Sequence, residues 1–256
     1  MRIEPNMPER EYRSHPALSC SLLKSFGFAK TPRAFKAEVR EESAAMRIGS
    51  AVDAELFGGR AVVVWEGTRR GAAWNDFCTA NKGNIILNET EAETANSCVT
   101  ALQSSAPFRQ AHESCLHQFA AFASHPDGYE MKGLIDMLPK QSNGWAFDLK
   151  TTADASQFEK KSYDLGYDLQ AAWYMRILNL CGANVTHFGF FIAETEPPFD
   201  IAKKYFEWDS LEIRNALERI DDFARRYVAC KQADSWPGYP QEWERITLPP
   251  WAYNKR

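Results

Sequence analysis

The sequence predicts an α/β protein: a mixed central sheet flanked by helices. Three observations carry this. Helical signals fill the first third, strand patterns joined by tight turns follow, and a helix, two strands and a last helix complete the chain. Composition agrees. The chain has 256 residues, 45% apolar and 25% charged, which is ordinary globular usage and enough to bury a core without staples.

Ser19 is placed to cap a helix through Leu22, Leu23 and Phe26. Thr31-Pro32 opens the next, because proline suits the first helical position. Over Ala44–Leu56, apolar residues at 48, 52 and 56 form a helical stripe. Asn88-x-x-Glu91 has the form of a capping box for a helix reaching Leu102. After Pro107 the pattern changes. His117–Ala123 reads as a strand, Asp127-Gly128 as a turn, and Tyr129–Leu138 as the second strand. Asn143-Gly144 marks another turn and Trp145–Thr151 a third strand, which makes a meander. A helix from about Tyr167 to Leu180 ends at Gly182. Val185–Ala193 and Phe199–Trp208 are strands, and Ser210 caps a helix through Ile213, Leu217, Ile220 and Tyr227. From Trp236 onward, prolines make a loop held by aromatic residues. The expected organisation is a single domain over 1–256, with a mostly helical part (1–106), a core (107–235) and an aromatic, proline-rich tail (236–256).

Several function classes drop out. No apolar run approaches a membrane span, and Met1–Arg13 has no apolar stretch, so no secretory signal is expected. The cysteines at 20, 78, 98, 115, 181 and 230 form no C-x-x-C pair, which argues against zinc or iron–sulfur binding and for reduced thiols in a cytoplasmic protein. No glycine-rich nucleotide loop is present, so no ATP use is expected. His125, in a His-Pro-Asp-Gly turn, is expected to be exposed. The net charge is −4, yet Arg13, Lys24, Lys30, Arg33, Lys36 and Arg40 face a single nearby acid, Glu38. That stretch is either a solvated helical face or a phosphate-facing patch.

The chemistry centres on Asp148-Leu149-Lys150. Side chains alternate along a strand, so Asp148 and Lys150 share one face while Phe147 and Leu149 point to the core. Asp136 lies on the preceding hairpin strand. If it faces the same way, two carboxylates and an ammonium converge, a device suited to phosphodiester hydrolysis with a hard divalent cation. Acid-x-Lys also occurs at Glu130-Met-Lys132 and Glu159-Lys-Lys161, so the tripeptide alone is weak. Only Asp148-x-Lys150 combines an aliphatic strand with an acid on the strand before it. An exposed cross-strand ion pair is the plain alternative.

The arrangement resembles the PD-(D/E)xK nuclease superfamily, which is built like restriction endonucleases. Within it, the chain is similar to the RecE (exonuclease VIII) family of prophage recombination exonucleases. The similarity runs through His15–Lys24, Thr31-Pro32-Arg33, Asp148-Leu-Lys-Thr-Thr152, Asp154-Ala-Ser156 and Phe158. It continues in Gly166-Tyr-x-x-Gln-Ala-Ala-x-Tyr174, Glu194-x-Glu-Pro-Pro198, Trp236-Pro-Gly-Tyr239, Leu248-Pro249 and Trp251. The resemblance implies Mg²⁺-dependent degradation of linear double-stranded DNA from the 5′ end, leaving 3′ single strands. Two Mg²⁺ ions per site, with Mn²⁺ as a substitute, come with it. So do a ring-shaped homo-oligomer, a RecT-type single-strand annealing partner and a phage or prophage origin in a bacterial host.

Carried over residue by residue, Asp136 and Asp148 match the metal-binding acids and Lys150 the catalytic lysine, with the Leu149 carbonyl as a further ligand. Gln170 and Tyr174, one helical turn apart, match the Gln-x-x-x-Tyr element of RecB-type nucleases and would position the lysine or a phosphate. Lys24, Lys30, Arg33, Lys36 and Tyr174 are the expected DNA contacts. Two departures stand out. Asp53 occupies the position of a usual metal-binding histidine, and Asp168 precedes Leu169-Gln170 where relatives often carry histidine. Aspartate is the harder ligand. The rival readings are a RecB- or Cas4-like single-strand or end-processing nuclease and a catalytically silent DNA-binding module.

Overall fold

The computed structural model describes residues 1–5, 7–39, 41–249 and 252. Arg40 of the basic stretch and Pro250 and Trp251 of the tail lie outside them. The chain opens with β1 (Arg2–Glu4), α1 (Glu9–Ser14), β2 (Leu18–Ser19), α2 (Cys20–Phe28), α3 (Pro32–Ala37) and α4 (Ala44–Phe57). Next come β3 (Val62–Val64), α5 (Ala72–Ala80), β4 (Ile85–Leu87), α6 (Glu89–Ser104) and α7 (Ala106–Ser114). The meander is β5 (Cys115–Ser124), β6 (Glu130–Pro139) and β7 (Trp145–Thr152). The chain closes with α8 (Phe158–Asp164), α9 (Tyr167–Leu180), β8 (His187–Glu194), β9 (Ile201–Glu207) and α10 (Leu211–Gln232).

The expected caps form. Ser19, Thr31 and Ser210 each accept a backbone N–H at the start of α2, α3 and α10, and Ser43, outside the expected set, does the same for α4. Asn88 and Glu91 complete the capping box of α6 in both directions. The elements α1, α5, α7, α8 and β1–β4 go beyond the expected set.

The main sheet runs β1-β5-β6-β7-β8-β9. β5, β6 and β7 pair antiparallel, β7 and β8 parallel, and β8 and β9 antiparallel, so the sheet is mixed. The parallel step needs a crossover, which α8 and α9 supply. The helical N-terminal part is not separate from the sheet: β1 pairs with β5, and β2 lies parallel to β6. One face carries α2, α9 and α10, with Leu23, Phe119, Trp173, Phe188 and Ile213 buried between them and the sheet. The other face buries Val52 of α4, Leu102 of α6 and Phe108 of α7 with Met137, Leu149 and Phe191. β3 and β4 form a small parallel pair of their own.

His125 corrects its expectation. Its side chain is only 9% exposed, because its ring stacks on Tyr129 at 4.4 Å and faces Asp221 of α10. Trp236 of the tail packs against Phe35 and Tyr227, as a loop held by aromatics should.

Candidate active site

β7 alternates as its sequence requires. Phe147 and Leu149 join the core under α4 and α6, and Asp148 and Lys150 turn to the opposite face. They open into a cleft of about 680 Å³. Asp136 of β6, Asp53 of α4, and Gln170 and Tyr174 of α9 line the same cleft. The condition set by the sequence is therefore met: the carboxylates at 136 and 148 address one space.

Two glycines permit this approach. A Cβ on Gly49 of α4 would stand 3.2 Å from Thr151 Oγ1, so the bare backbone lets α4 close on β7 and carry Asp53, one turn further on, to the cleft. A Cβ on Gly133 would meet the Tyr174 ring at 3.0 Å, which lets α9 lie close over β6.

The polar network is closed. Lys150 Nζ is paired with Asp148 Oδ2. Gln170 Nε2 donates to Asp148 Oδ1 at 2.7 Å. Asp136 Oδ2 accepts the Leu149 N–H at 2.9 Å, and Oδ1 accepts from Gln118 Nε2 at 3.0 Å. The Lys150 ammonium also stands 5.0 Å over the Tyr167 ring.

Electrostatics follow from burial and crowding. Burial raises the Asp136 pKa well above the carboxylate range, and the charges of Asp148 and Asp53 raise it further, against Lys150 and the Leu149 amide. Burial pushes Asp53 up to about 7, opposed by Lys150 and helped by Asp148. Burial works against the Lys150 charge, but Asp148 and Asp136 outweigh it and hold the ammonium above the usual lysine value.

Carboxylates that resist ionising together suit a hard divalent cation, which supplies the missing positive charge through oxygen ligands. As the side chains stand, among the described residues no three His, Cys, Asp or Glu enclose an ion. Each Asp148 and Asp136 oxygen has a protein donor beside it. The donor set fits such an ion: Asp53, Asp136 and Asp148 are the residues that would hold it.

Residues 19–248 match the model of a family described as a PDDEXK-like domain of unknown function (DUF3799). The chain belongs to this family. Among solved structures, the PDDEXK-like chain resembles a protein from Eubacterium rectale provisionally named an exonuclease, at 18% identity over 96% of each chain with a TM-score of 0.67. A phage-related exonuclease from Haemophilus somnus aligns at 16% identity over 88% of this chain and 99% of its own, with a TM-score of 0.40. An alkaline exonuclease from Laribacter hongkongensis aligns at 14% over 74% and 96%, with a TM-score of 0.32. The first likeness shows the fold; the other two add no weight. No curated protein sequence matches the chain. The PD-(D/E)xK resemblance is thus borne out at the level of the family.

The two decoy tripeptides have structural employment. Lys132 is 6% exposed and donates to the carbonyls of Tyr12 (2.7 Å) and His15 (2.8 Å), holding the end of α1 against β6. Glu159 pairs with Lys204 on the surface, and Lys161 donates to Thr152 Oγ1 at 2.5 Å.

The basic stretch divides in space. Lys24 lies near the site: its Nζ donates to the Leu165 carbonyl at 2.8 Å, and burial lowers its pKa within the fields of Lys150 and Asp148. Lys30, Arg33 and Lys36 are outside the residues lining the cleft. α3 turns toward the tail instead, with the Arg33 N–H on the Pro237 carbonyl at 3.0 Å and Lys36 Nζ 4.8 Å over Trp236. Arg13 and Arg60 line the cleft and both pair with Glu9, which lines it too, and Lys132 is a further cation of the lining. Asp168 ties α9 to α10 through Arg219 at 2.8 Å. Sequence reasoning missed Arg60 and Gln118. The only signal for Gln118 was a polar pair, His117-Gln118, at the head of an apolar strand.

Proposed function

We propose that this chain is a metal-dependent exodeoxyribonuclease that degrades linear double-stranded DNA. The observation that carries the reading is the convergence of Asp53, Asp136, Asp148 and Lys150 on one cleft of a PDDEXK-like fold. When bound, a divalent cation, Mg²⁺ or Mn²⁺, would acidify a coordinated water and draw charge from the phosphate oxygens. The protein supplies the rest. Lys150, beside Asp148 in the same cleft, would orient the attacking water and meet charge developing on the phosphate. Gln170 fixes the Asp148 carboxylate. Arg13 and Arg60, which line the cleft beside their shared partner Glu9, are the cations offered to the DNA backbone, with Lys24 close by.

The finer reading rests on the RecE resemblance: attack from the 5′ end, a 3′ single strand handed to a RecT-type annealing protein, two ions per site, a homo-oligomeric ring and action in a bacterial cytoplasm carrying a phage or prophage. Blunt linear duplex, labelled at either end and sampled over time with Mg²⁺, tests it. Loss of label from 5′ ends, absent in Asp148→Ala, is the expected result. Preferential cleavage of single strands points to the RecB- or Cas4-like alternative, and no cleavage with retained DNA binding to a silent module.

A further inference from the structure

Gln118 lines the cleft with a left-handed backbone, φ +45°, inside a β-strand. Residues other than glycine avoid this region, so something must hold it there. The ladder around it keeps its register, with His117 opposite Met137 and Phe119 opposite Ile135. The core faces nevertheless change across this point. Phe119 and Ile135 lie in the core under α9, whereas Cys115 and Met137 lie in the core under α4 and α6. A regular pleat would keep Ile135 and Met137 on one face. The rotation falls on the opposed pair Gln118 and Asp136, and distortions of this kind re-aim side chains beside active sites.

What it aims is the Gln118 carboxamide. Nε2 donates to Asp136 Oδ1 at 3.0 Å. The other Asp136 oxygen takes the Leu149 N–H. Asp136 is thus clamped from β5 and β7 by two neutral donors. Both donors are neutral, so neither forms an ion pair with Asp136, and each of its oxygens has capacity for one more partner. Asp148 differs, because its Oδ2 is neutralised by Lys150.

We infer that Gln118 is a positioning residue of the cleavage site, fixing the Asp136 carboxylate for a divalent cation, and that the left-handed backbone at 118 exists to aim it. This rests on the nuclease reading of the cleft. Partners that orient a ligand from behind commonly change metal affinity or activity by about 10–100-fold.

Gln118→Gly separates this role from packing, because glycine accepts the backbone better than glutamine while removing the donor. Gln118→Leu removes the donor and keeps the bulk. In the full chain without DNA, calorimetric titration with Mn²⁺ should show affinity falling about 10–100-fold in both variants. The Mg²⁺ concentration for half-maximal cleavage should rise by a similar factor, while Gln118→Gly melts at or above the wild-type temperature. Wild-type Mn²⁺ affinity in Gln118→Gly overturns the inference alone. So does a loss confined to Gln118→Gly and restored by leucine, which assigns the residue to strand packing. A wild-type chain that takes up no Mn²⁺ overturns the nuclease reading and the inference with it.

Discussion

Gln170 holds one oxygen of Asp148 at 2.7 Å while Lys150 pairs with the other, so the acid between them has no freedom to turn. The donor comes from α9 and the acid from β7, which makes the helix position part of the site. Gln170→Leu should leave the melting temperature near wild type and lower the cleavage rate about 10–100-fold. Steady-state rates on labelled duplex, read beside thermal melts, check this.

Lys150 separates binding from chemistry. Lys150→Ala should reduce cleavage at least about 100-fold, with duplex affinity within a few-fold of wild type, because the rim cations remain. Gel-shift and cleavage assays on the same preparation decide. Undiminished turnover removes Lys150 from the reaction.

Asp53 makes the metal-free protein sensitive to pH. Its folded value is about 7 against an ordinary 3.8, so between these values the folded chain binds a proton that the unfolded chain has released. The stability it contributes is complete below the unfolded value and is lost as pH rises toward the folded one. Asp53→Asn removes this loss. The variant should melt with wild type near pH 4 and about 3–6 °C above it at pH 8 without metal. Saturating Mg²⁺ should narrow the gap by stabilising the wild type. Calorimetric melts across pH, with and without Mg²⁺, test both statements.

Glu91 ties three segments together: it completes the cap of α6 and pairs with Arg47 of α4 and with Arg69. Burial would raise its pKa, but the two arginines and the Asn88 amide outweigh it and bring it to about 2. Its contribution is therefore full above the ordinary 4.5 and lost as pH falls toward 2. Glu91→Ala should cost about 2–4 kcal/mol at pH 7 in a denaturant titration, because two partly buried guanidinium groups lose their partner.

DNA affinity should fall steeply with salt. Replacing Arg13 and Arg60 with glutamine should flatten the slope of log K against log salt by about one per lost phosphate contact. Replacing Lys30 and Lys36 should change it little, since they lie outside the cleft. Fluorescence anisotropy over a salt series measures the difference.

The meander was legible because its turns carry Asp-Gly and Asn-Gly between apolar runs. The shared face of Asp148 and Lys150 followed from strand period alone. The caps were legible because they depend on one side chain and a neighbour three residues on. Other features were not. The run of basic residues looked like one patch, but α2 and α3 point in different directions, which leaves Lys24 by the site and Lys36 on Trp236. The Gln118 contact depends on a backbone reversal that no residue type announces. Gly49 gave no sign that its missing side chain sets the approach of α4 to β7.

That approach has a bearing on when the molecule becomes dangerous to DNA. Asp53 comes from a helix laid down early in synthesis, and Gln170 from one made much later. Neither has a reason to meet the meander until the sheet is closed on both sides. A half-folded copy therefore holds these groups apart, and on the nuclease reading proposed above the ability to cut arises only with the finished molecule.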